Sequence, residues 1–212
     1  MTAQPSLWRR PLAHRWWLGP LGATLGILTA ALAGRYGLAA TPWLLAPLGA
    51  SAVLVFAVPA SPLAQPWPVI GGNGLSLLIG LAVGHGVPVP VVAAALAVGL
   101  AIAVMIVLGC LHPPGGACAL VGVLAAASPG GGWGLVPTLA ANVAGLCAAG
   151  WLYHRWSGHA WPHRAPAAPA PLRGYERAHL DAVLAEWDET LDVDPDDLDA
   201  LIRAVEARSL QR

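Results

Sequence analysis

Apolar residues dominate this chain in long runs that carry almost no charge. The runs lie at about Trp16 to Ala33, Pro42 to Val58, Pro68 to Val87, Val89 to Leu111, Gly115 to Ala127 and Leu135 to Trp156. A helix that spans a bilayer needs about 20 such residues. The first, third, fourth and sixth runs therefore predict spanning helices. Gly115 to Ala127, and Gly49 to Val58 within the second run, are shorter and predict half-helices or broken helices.

The two short segments are related in sequence at a fixed distance of 67 positions. Pro47 to Pro62 and Pro114 to Pro129 share seven identical residues over sixteen aligned positions. Each half of the chain thus reads as a long helix, a short helix opened by Pro and Gly, and a second long helix. The predicted fold class is all-α, a polytopic membrane helical bundle of two internal repeats.

Arginines flank the apolar region at both ends and predict its orientation. Arg9, Arg10 and Arg15 precede it, and Arg155 and Arg164 follow it. The positive-inside rule then puts both termini on the cytoplasmic side of the cell's inner membrane, which requires an even number of crossings. Re-entrant short segments give four spans and two parallel repeats. Short segments that cross give six spans and two inverted repeats, and segment length favours the four-span alternative.

Composition supports a membrane protein and removes several classes of function. The chain is 57% hydrophobic and 10% charged, whereas soluble domains carry about 25% charged residues. Residues 1 to 175 contain no carboxylate side chain. Paired-carboxylate hydrolysis and Asp/Glu proton relays therefore lack their reagents there. The three cysteines have no metal-ligand spacing, so we expect no enzyme activity, no metal and no cofactor.

The chain divides into four regions by composition. They are a basic cytoplasmic N-terminus (1 to 15), a transmembrane domain (16 to 157), a linker rich in Pro and Ala (158 to 174) and an acidic cytoplasmic helical tail (175 to 212). All eleven acidic residues lie between Glu176 and Glu206. Apolar spacing predicts one tail helix over Tyr175 to Leu191. A second is predicted to begin after Asp194 as its N-cap.

The string from His112 to Cys118 carries the most specific candidate chemistry. Pro113 and Pro114 end the preceding helix, and Gly115 and Gly116 let the backbone approach a solute or a neighbouring helix. The amides of Gly116, Ala117 and Cys118 then lack helical partners, and in an apolar setting they favour an anion. The sibling segment offers Gly49, Ala50 and Ser51 in the same way. The alternative is a tight helix-to-helix turn with His112 at the interface.

Other polar groups extend this candidate site. His112 can act as a proton carrier, as an anion partner when protonated, or only as a helix cap. The Ser51 hydroxyl and the amides of Asn73 and Asn142 offer neutral donors, and the two asparagines fall at near-equivalent places in the repeats. Interhelical hydrogen bonds that hold the bundle are an equal alternative for that pair. Glycine pairs such as Gly80/Gly84 predict close helix contacts within or between protomers, so a homo-oligomer stays open.

These motifs resemble the HPP family of integral membrane proteins, named for the His-Pro-Pro that stands here as His112-Pro113-Pro114. The resemblance also includes Gly49 to Leu54, Pro59 to Pro66 and Gly71-Gly72-Asn73, and it extends over roughly Trp16 to Tyr153. It implies a four-span membrane domain. It also implies transport of nitrite, because plant-plastid and cyanobacterial members are implicated in that activity.

The sequence therefore predicts a membrane transporter or channel for a small inorganic anion, most specifically nitrite. The anion would bind at backbone amides of the paired short helices. The expected partners are this anion and the lipid bilayer, with no nucleic acid. The rival hypothesis is a non-transporting membrane scaffold that recruits a soluble partner through its acidic tail.

Overall fold

The structure, a computed structural model, describes residues 17–37, 42–166, 175–187 and 191–209, and these form helices and turns without strands. The helices are α1 (Leu18–Gly37), α2 (Pro47–Ala57), α3 (Asn73–Gly86), α4 (Pro90–Val107), α5 (Pro114–Ala126), α6 (Leu135–Ser157), α7 (Arg177–Trp187) and α8 (Pro195–Ser209). A π-helical segment, Pro68–Gly72, continues into α3. The predicted basic N-terminus, residues 1 to 15, and residues 167 to 174 of the linker lie outside the described residues.

Within the described part of the chain, four helices are long and apolar enough to span a bilayer, as predicted. They are Leu18–Tyr36, Pro68–Gly86, Pro90–Val107 and Leu135–Ser157. The short helices α2 and α5 have 11 and 13 residues, or about 16 and 20 Å, against about 30 Å of hydrocarbon. The order long, short, long thus occurs twice along the chain. That the two halves are copies of one repeat stays a prediction from the sequence.

Glycines bring α1 into close contact with its neighbours. A side chain at Gly22 or Gly26 would collide with the ring of Phe56 on α2. A side chain at Gly145 of α6 would come within 3.0 Å of the Ala30 backbone. Gly22 and Gly26 lie one turn apart on one face of α1. The close helix contact that their spacing predicts is made within the protomer.

The contact between α3 and α5 is built in the same way. A side chain at Gly80 would collide with the carbonyl of Ala119, and one at Gly84 would come within 2.9 Å of the Val123 backbone. Gly122 of α5 faces the Leu77 carbonyl in return. Such close approach brings the two helix backbones into van der Waals contact, which is a main source of helix association in lipid.

Contacts along α1 show that residues 43–57, which include α2, run antiparallel to it. Trp43, just before α2, lies against Gly34 near the end of α1. Ala57, the last residue of α2, lies against Gly19 near the start of α1. The chain therefore travels from one end of the bundle to the other through α2.

The same reasoning gives the direction of α5, which runs parallel to α3. Gly115 lies against Gly72 near the start of both helices, and Ala126 lies against Gly84 near their ends. The turn that follows α5 contacts the end of α3, because a side chain at Gly131 would meet His85. α6 then returns in the opposite direction.

The chain consequently passes between the two ends of the bundle six times. The start of α1 and the end of α6 share one end, where Tyr153 Oη donates to the carbonyl of Leu18 at 2.7 Å. We call this the terminal end and the opposite one the far end. Re-entrant short segments would leave by the end at which they enter, and α2 and α5 do not. The number of membrane crossings stays a prediction: four helices are long enough to span a bilayer, and the non-helical residues 42–46 add to the reach of α2.

The tail contains the two predicted helices. Asp194 Oδ1 accepts from the amide of Asp196 at 2.8 Å, and Pro195 is the first residue of α8, which confirms the predicted helix start. α7 begins at Arg177, two residues after the predicted start, and residues 188–190 lie outside the described residues. In the described part of the linker, Trp161 is buried against the membrane domain.

Candidate functional site

Four polar side chains meet near the middle of the bundle and form what we call the core cluster: Ser51, Asn73, His112 and Cys118. They come from α2, α3, the turn before α5, and α5. All four have an exposed fraction of 0%. Ser51 and Cys118 occupy aligned positions of the two short segments, since 118 − 67 is 51, and each is the fifth residue of its helix. The two short helices thus meet near their middles.

Hydrogen bonds join the core cluster into one chain. Cys118 Sγ lies 3.1 Å from Asn73 Oδ1. Asn73 Nδ2 lies 3.1 Å from Ser51 Oγ and also donates to the carbonyl of Val69. Ser51 Oγ lies 2.8 Å from His112 Nε2, and His112 Nδ1 lies 2.8 Å from the carbonyl of Leu63. Every polar atom of the buried imidazole therefore has a partner.

The direction of these bonds follows from the Leu63 carbonyl, which can only accept. His112 Nδ1 must therefore carry a hydrogen, and in the neutral ring Nε2 is then an acceptor. Ser51 donates its hydroxyl hydrogen to Nε2, and its oxygen accepts from Asn73. Each group in this chain of hydrogen bonds therefore donates to the next one, from the Cys118 thiol to the Leu63 carbonyl. While His112 is neutral, the hydroxyl hydrogen of Ser51 is taken up by the bond to Nε2.

The local backbone explains how His112 enters the bundle. A side chain at Gly72 would collide with the His112 side chain, so this position of the π-helical segment requires glycine. Gly109 turns the chain with φ +61°, in the left-handed region that favours glycine. The amide of Cys110 then reaches back to the Met105 carbonyl at 2.8 Å. π-helical turns are frequent at functional sites, and here one lies against the candidate histidine.

Whether the two helix starts converge on an anion stays a prediction. α2 and α5 each begin about one turn before the core cluster, since Ser51 and Cys118 are the fifth residues of the two helices. The amides are also used locally: Gly49 N donates to Ala46 O at 3.0 Å, and Gly116 N donates to Pro113 O at 3.1 Å. Tightened first turns satisfy donors that an ideal helix start leaves free. The short helices meet through side chains instead.

The remaining predicted residues take different places around the core cluster. Gly49, Ala50 and Ala117 are on the outer faces of their helices, and Pro113 is exposed as well. Pro114 and Gly115 are buried, whereas Gly116 is half-buried. A side chain at Gly49 or Gly116 would meet open space, so close packing does not account for these glycines. Whether any of these residues binds an anion stays a prediction.

Asn142 is buried but lies outside the core cluster. Its Nδ2 donates to the carbonyls of Ala30 and Trp43 at 2.9 and 3.0 Å. Its Oδ1 accepts from the amide of Leu45 at 3.1 Å. Each asparagine therefore lies near the start of the short helix in the other half, but Asn142 bonds only to backbone. This matches the alternative of an interhelical hydrogen bond that holds the bundle.

The carbonyl of Leu63 is the partner of His112 that the sequence reasoning missed. It lies in residues 58–67, which we call the α2–α3 loop, where a 3₁₀ turn spans Pro62–Ala64. The three prolines of this stretch, at positions 59, 62 and 66, indicate only a turn. A carbonyl contact between positions 49 residues apart has no signature in composition or periodicity.

The electrostatic setting of the core cluster is neutral. Residues 1 to 175 contain no carboxylate side chain, so no anionic group of this region opposes an incoming anion. Among the described residues, no group of three or more His, Cys, Asp or Glu is placed to hold a metal ion. The arrangement can donate hydrogen bonds, accept a proton at His112 and exclude water.

Comparison with known proteins supports a membrane function. The family model of the HPP transmembrane region matches residues 9–162, which is more than half of the chain. A transmembrane protein of Dictyostelium discoideum is 39% identical over 85 residues, a stretch that covers 38% of this chain and 30% of that protein. No solved structure gives a significant match. The chain therefore belongs to the HPP family, and it is a multi-pass membrane protein.

Proposed function

We propose that this protein transports a small inorganic anion, nitrite by resemblance to its family, and that the Ser51–His112 pair is the binding site. The observation that carries the proposal is the one-directional hydrogen-bond chain among four fully buried side chains. Buried polar and ionisable groups within a membrane domain are costly, and they commonly mark a transport pathway. The site differs from the paired amides predicted from the sequence, but its residues belong to the same two segments.

Protonation of His112 supplies the proposed mechanism. With both ring nitrogens protonated, Nε2 donates to Ser51 Oγ, which then accepts from His112 and from Asn73. The Ser51 hydroxyl hydrogen loses its acceptor and becomes available to donate to an anion beside the imidazolium. Proton uptake and anion binding therefore favour each other, and binding is expected to strengthen as the pH falls. Loss of the proton restores the closed chain and releases the anion.

The charge balance supports an anion over a cation. Cation sites in membrane proteins use carboxylates or clustered carbonyls, and residues 1 to 175 lack the former. The groups that become available when His112 is protonated are a donor and a positive charge. Nitrite is small, singly charged and a good hydrogen-bond acceptor, which suits such a site.

The bundle geometry supports a pathway that uses both halves of the chain. In this proposal all six helices cross the membrane, and the two halves are inverted repeats that meet at Ser51 and Cys118. Binding sites of secondary transporters lie near the membrane midplane at a repeat interface and use interrupted helices. The core cluster lies where α2 and α5 meet, which fits that arrangement.

Nitrite uptake into proteoliposomes tests the proposal. Purified protein should take up nitrite above protein-free vesicles, and Ser51→Ala should lower the rate by at least about tenfold, because loss of a donor to a charged group costs about 1.5–3 kcal/mol. Ser76→Ala is the matched control, since Ser76 is equally buried on α3 but, among the described residues, its hydroxyl bonds only to the sulfur of Met105, at 3.7 Å. Folded wild-type protein that takes up no nitrite would reject the transport function. Equal rates in the two serine variants would reject the site.

A further inference from the structure

The C-terminal part of the chain holds the α2–α3 loop, which carries the carbonyl that orients His112. Trp161 Nε1 donates to the carbonyl of Ala64 at 3.0 Å. The amide of His163 donates to Gln65 Oε1 at 2.7 Å. Ser61 Oγ donates to Asp192 Oδ1, a residue 131 positions later in the chain. The linker and the tail therefore hydrogen-bond to this loop at three residues, Ser61, Ala64 and Gln65.

Asp192 lies only a few bonds from the core cluster. Its carboxylate accepts from the Ser61 hydroxyl, and the Ser61 oxygen accepts from the amide of Leu63 at 3.1 Å. The carbonyl of Leu63 in turn accepts from His112 Nδ1. Hydrogen bonds to an ionised group are roughly twice as strong as neutral ones. The path from the tail to His112 thus consists of one charge-assisted bond, one serine and one residue of backbone.

The loop is braced internally between these contacts. Gln65 Nε2 donates to the carbonyls of Pro59 and Ser61 at 3.0 and 2.7 Å. The same side chain accepts from the linker through its Oε1. Leu63 therefore lies inside a closed hydrogen-bonded turn whose outer side is held by the C-terminal segment.

The tail is itself tied to the linker and across its two helices. His163 Nε2 lies 2.8 Å from an Asp197 carboxylate oxygen, and both side chains are largely shielded from solvent. Arg177 of α7 bonds to Asp196 of α8 at 2.8 Å. Tyr175 Oη donates to Asp199 at 2.9 Å. These ties fix Asp192, which lies between α7 and α8, relative to the linker and the loop.

We propose that Asp192 and the His163–Asp197 pair are positioning residues for the anion site. They hold the α2–α3 loop so that Leu63 keeps His112 in the tautomer whose Nε2 accepts from Ser51. The inference rests on the proposed function for its effect on transport, but its structural part stands independently. It assigns the acidic tail to this chain's own membrane domain, in contrast to a tail that only recruits a soluble partner.

The alternative of a merely structural tail predicts a different pattern. Loss of Asp192 would then lower stability alone, and the His112 ring would be unchanged. A positioning role requires that the tautomer of His112, read from its two ring-nitrogen resonances, shifts when the tail contact is removed. It also requires that glutamate, the other residue with a carboxylate side chain, restores the wild-type state at position 192.

The experiment uses full-length protein in proteoliposomes with four variants: Asp192→Asn, Asp192→Glu, Asp197→Asn and Asp181→Asn. Asp181 is the matched control, because it carries the same charge in the same tail but pairs only with Arg177. Asp192→Asn and Asp197→Asn should speed amide exchange in residues 58–67 and shift the His112 resonances. Nitrite uptake should fall by about tenfold to a hundredfold, as expected for a displaced functional group. Asp192→Glu and Asp181→Asn should resemble the wild type.

Two results would overturn the inference. One is a His112 spectrum and loop exchange in Asp192→Asn and Asp197→Asn that match Asp181→Asn. The other is full uptake in those variants while the wild type transports nitrite. Wild-type protein without uptake would remove the proposed function, and the His112 resonances would still decide whether the tail positions the ring.

Discussion

The starts of the two short helices are related in sequence but are held in different ways. At the start of α5, His112 reaches into the core cluster and bonds to the side chain of Ser51. The aligned position before α2, since 112 − 67 is 45, is Leu45, whose backbone amide bonds to Asn142. One start thus carries a titratable group into the bundle, and the other is tied by a neutral amide. Two segments that are related in sequence therefore differ in the polar groups at their aligned starts.

The largest expected effect is on thiol labelling, which reports the side of the membrane faced by the turns that follow α2 and α5. Ala60 and Ala127 are aligned, exposed residues that follow α2 and α5. The six-pass geometry predicts that cysteines at these positions react with an impermeant thiol reagent from opposite sides. The wild-type chain gives the background from its own three cysteines. Labelling of both from one side would restore the four-span, parallel arrangement and break the inverted relation.

Removal of the imidazole should have the largest effect on transport. His112→Leu makes the α5 start resemble the α2 start. It leaves the Ser51 hydroxyl hydrogen without its acceptor and the Leu63 carbonyl without its donor. We expect nitrite uptake per folded protein to fall by at least about a hundredfold. Stability should also fall, by about 1–3 kcal/mol for each buried group left unpaired. His112→Gln retains hydrogen-bonding capacity but cannot take up a proton. Its residual uptake should not rise as the pH falls, whereas a pH response equal to the wild type would refute the proton step.

Asn142→Leu should give the opposite pattern, because Asn142 bonds only to backbone. The amide of Leu45 would lose its buried acceptor, at a cost of about 1–3 kcal/mol. The midpoint of thermal unfolding in detergent should fall, while uptake per folded protein stays within about twofold of the wild type. A hundredfold loss of uptake at unchanged stability would place Asn142 in the anion site. The starts of α2 and α5 would then not differ in function.

The smallest effects separate the neighbouring glycines of α5. Gly115→Ala places a methyl group 2.6 Å from the Gly72 carbonyl and 2.8 Å from Ser76 Oγ. Such overpacking typically costs about 1–3 kcal/mol. Gly116→Ala meets open space and should be neutral or stabilising by up to about 1 kcal/mol. Denaturation of the two variants compares them, and equal stabilities would show that the described packing around Gly115 is wrong.

Much of the fold could be predicted from the sequence because apolar run length and helix breakers act locally. Proline and glycine set the starts of α2 and α5, and Asp194 with Pro195 set the start of α8. The glycine pairs were predicted to make close contacts, but only tertiary structure shows that Gly80 packs on Ala119 inside one protomer. The path of α2 was harder to predict, because a run of 11 helical residues does not reveal how far the non-helical residues 42–46 carry the chain.

The residues of the core cluster could be predicted more fully than the contacts among them. Ser51, Asn73 and His112 were identified because polar groups stand out in an uncharged apolar region, whereas Cys118 was identified for its amide and not for its thiol. Their mutual contacts depend on the depth at which α2 and α5 meet, which the sequence does not encode locally. The amides of Gly49 and Gly116 bond to nearby carbonyls in their first turns, a local closure that the sequence reasoning did not anticipate. Asn142 illustrates that the same residue type in a similar place can bond to backbone groups where Asn73 also bonds to side chains.

The ring nitrogens of His112 offer the most direct test of the central claim that anion binding and protonation of this histidine are linked through Ser51. The measurement is the nitrogen resonances of His112 in histidine-labelled protein in lipid, assigned by comparison with His112→Gln, with and without nitrite at constant pH. The account predicts that nitrite moves both nitrogens toward the doubly protonated imidazolium form, and that Ser51→Ala abolishes this change. Resonances that stay in the neutral tautomer at nitrite concentrations that saturate uptake would contradict it.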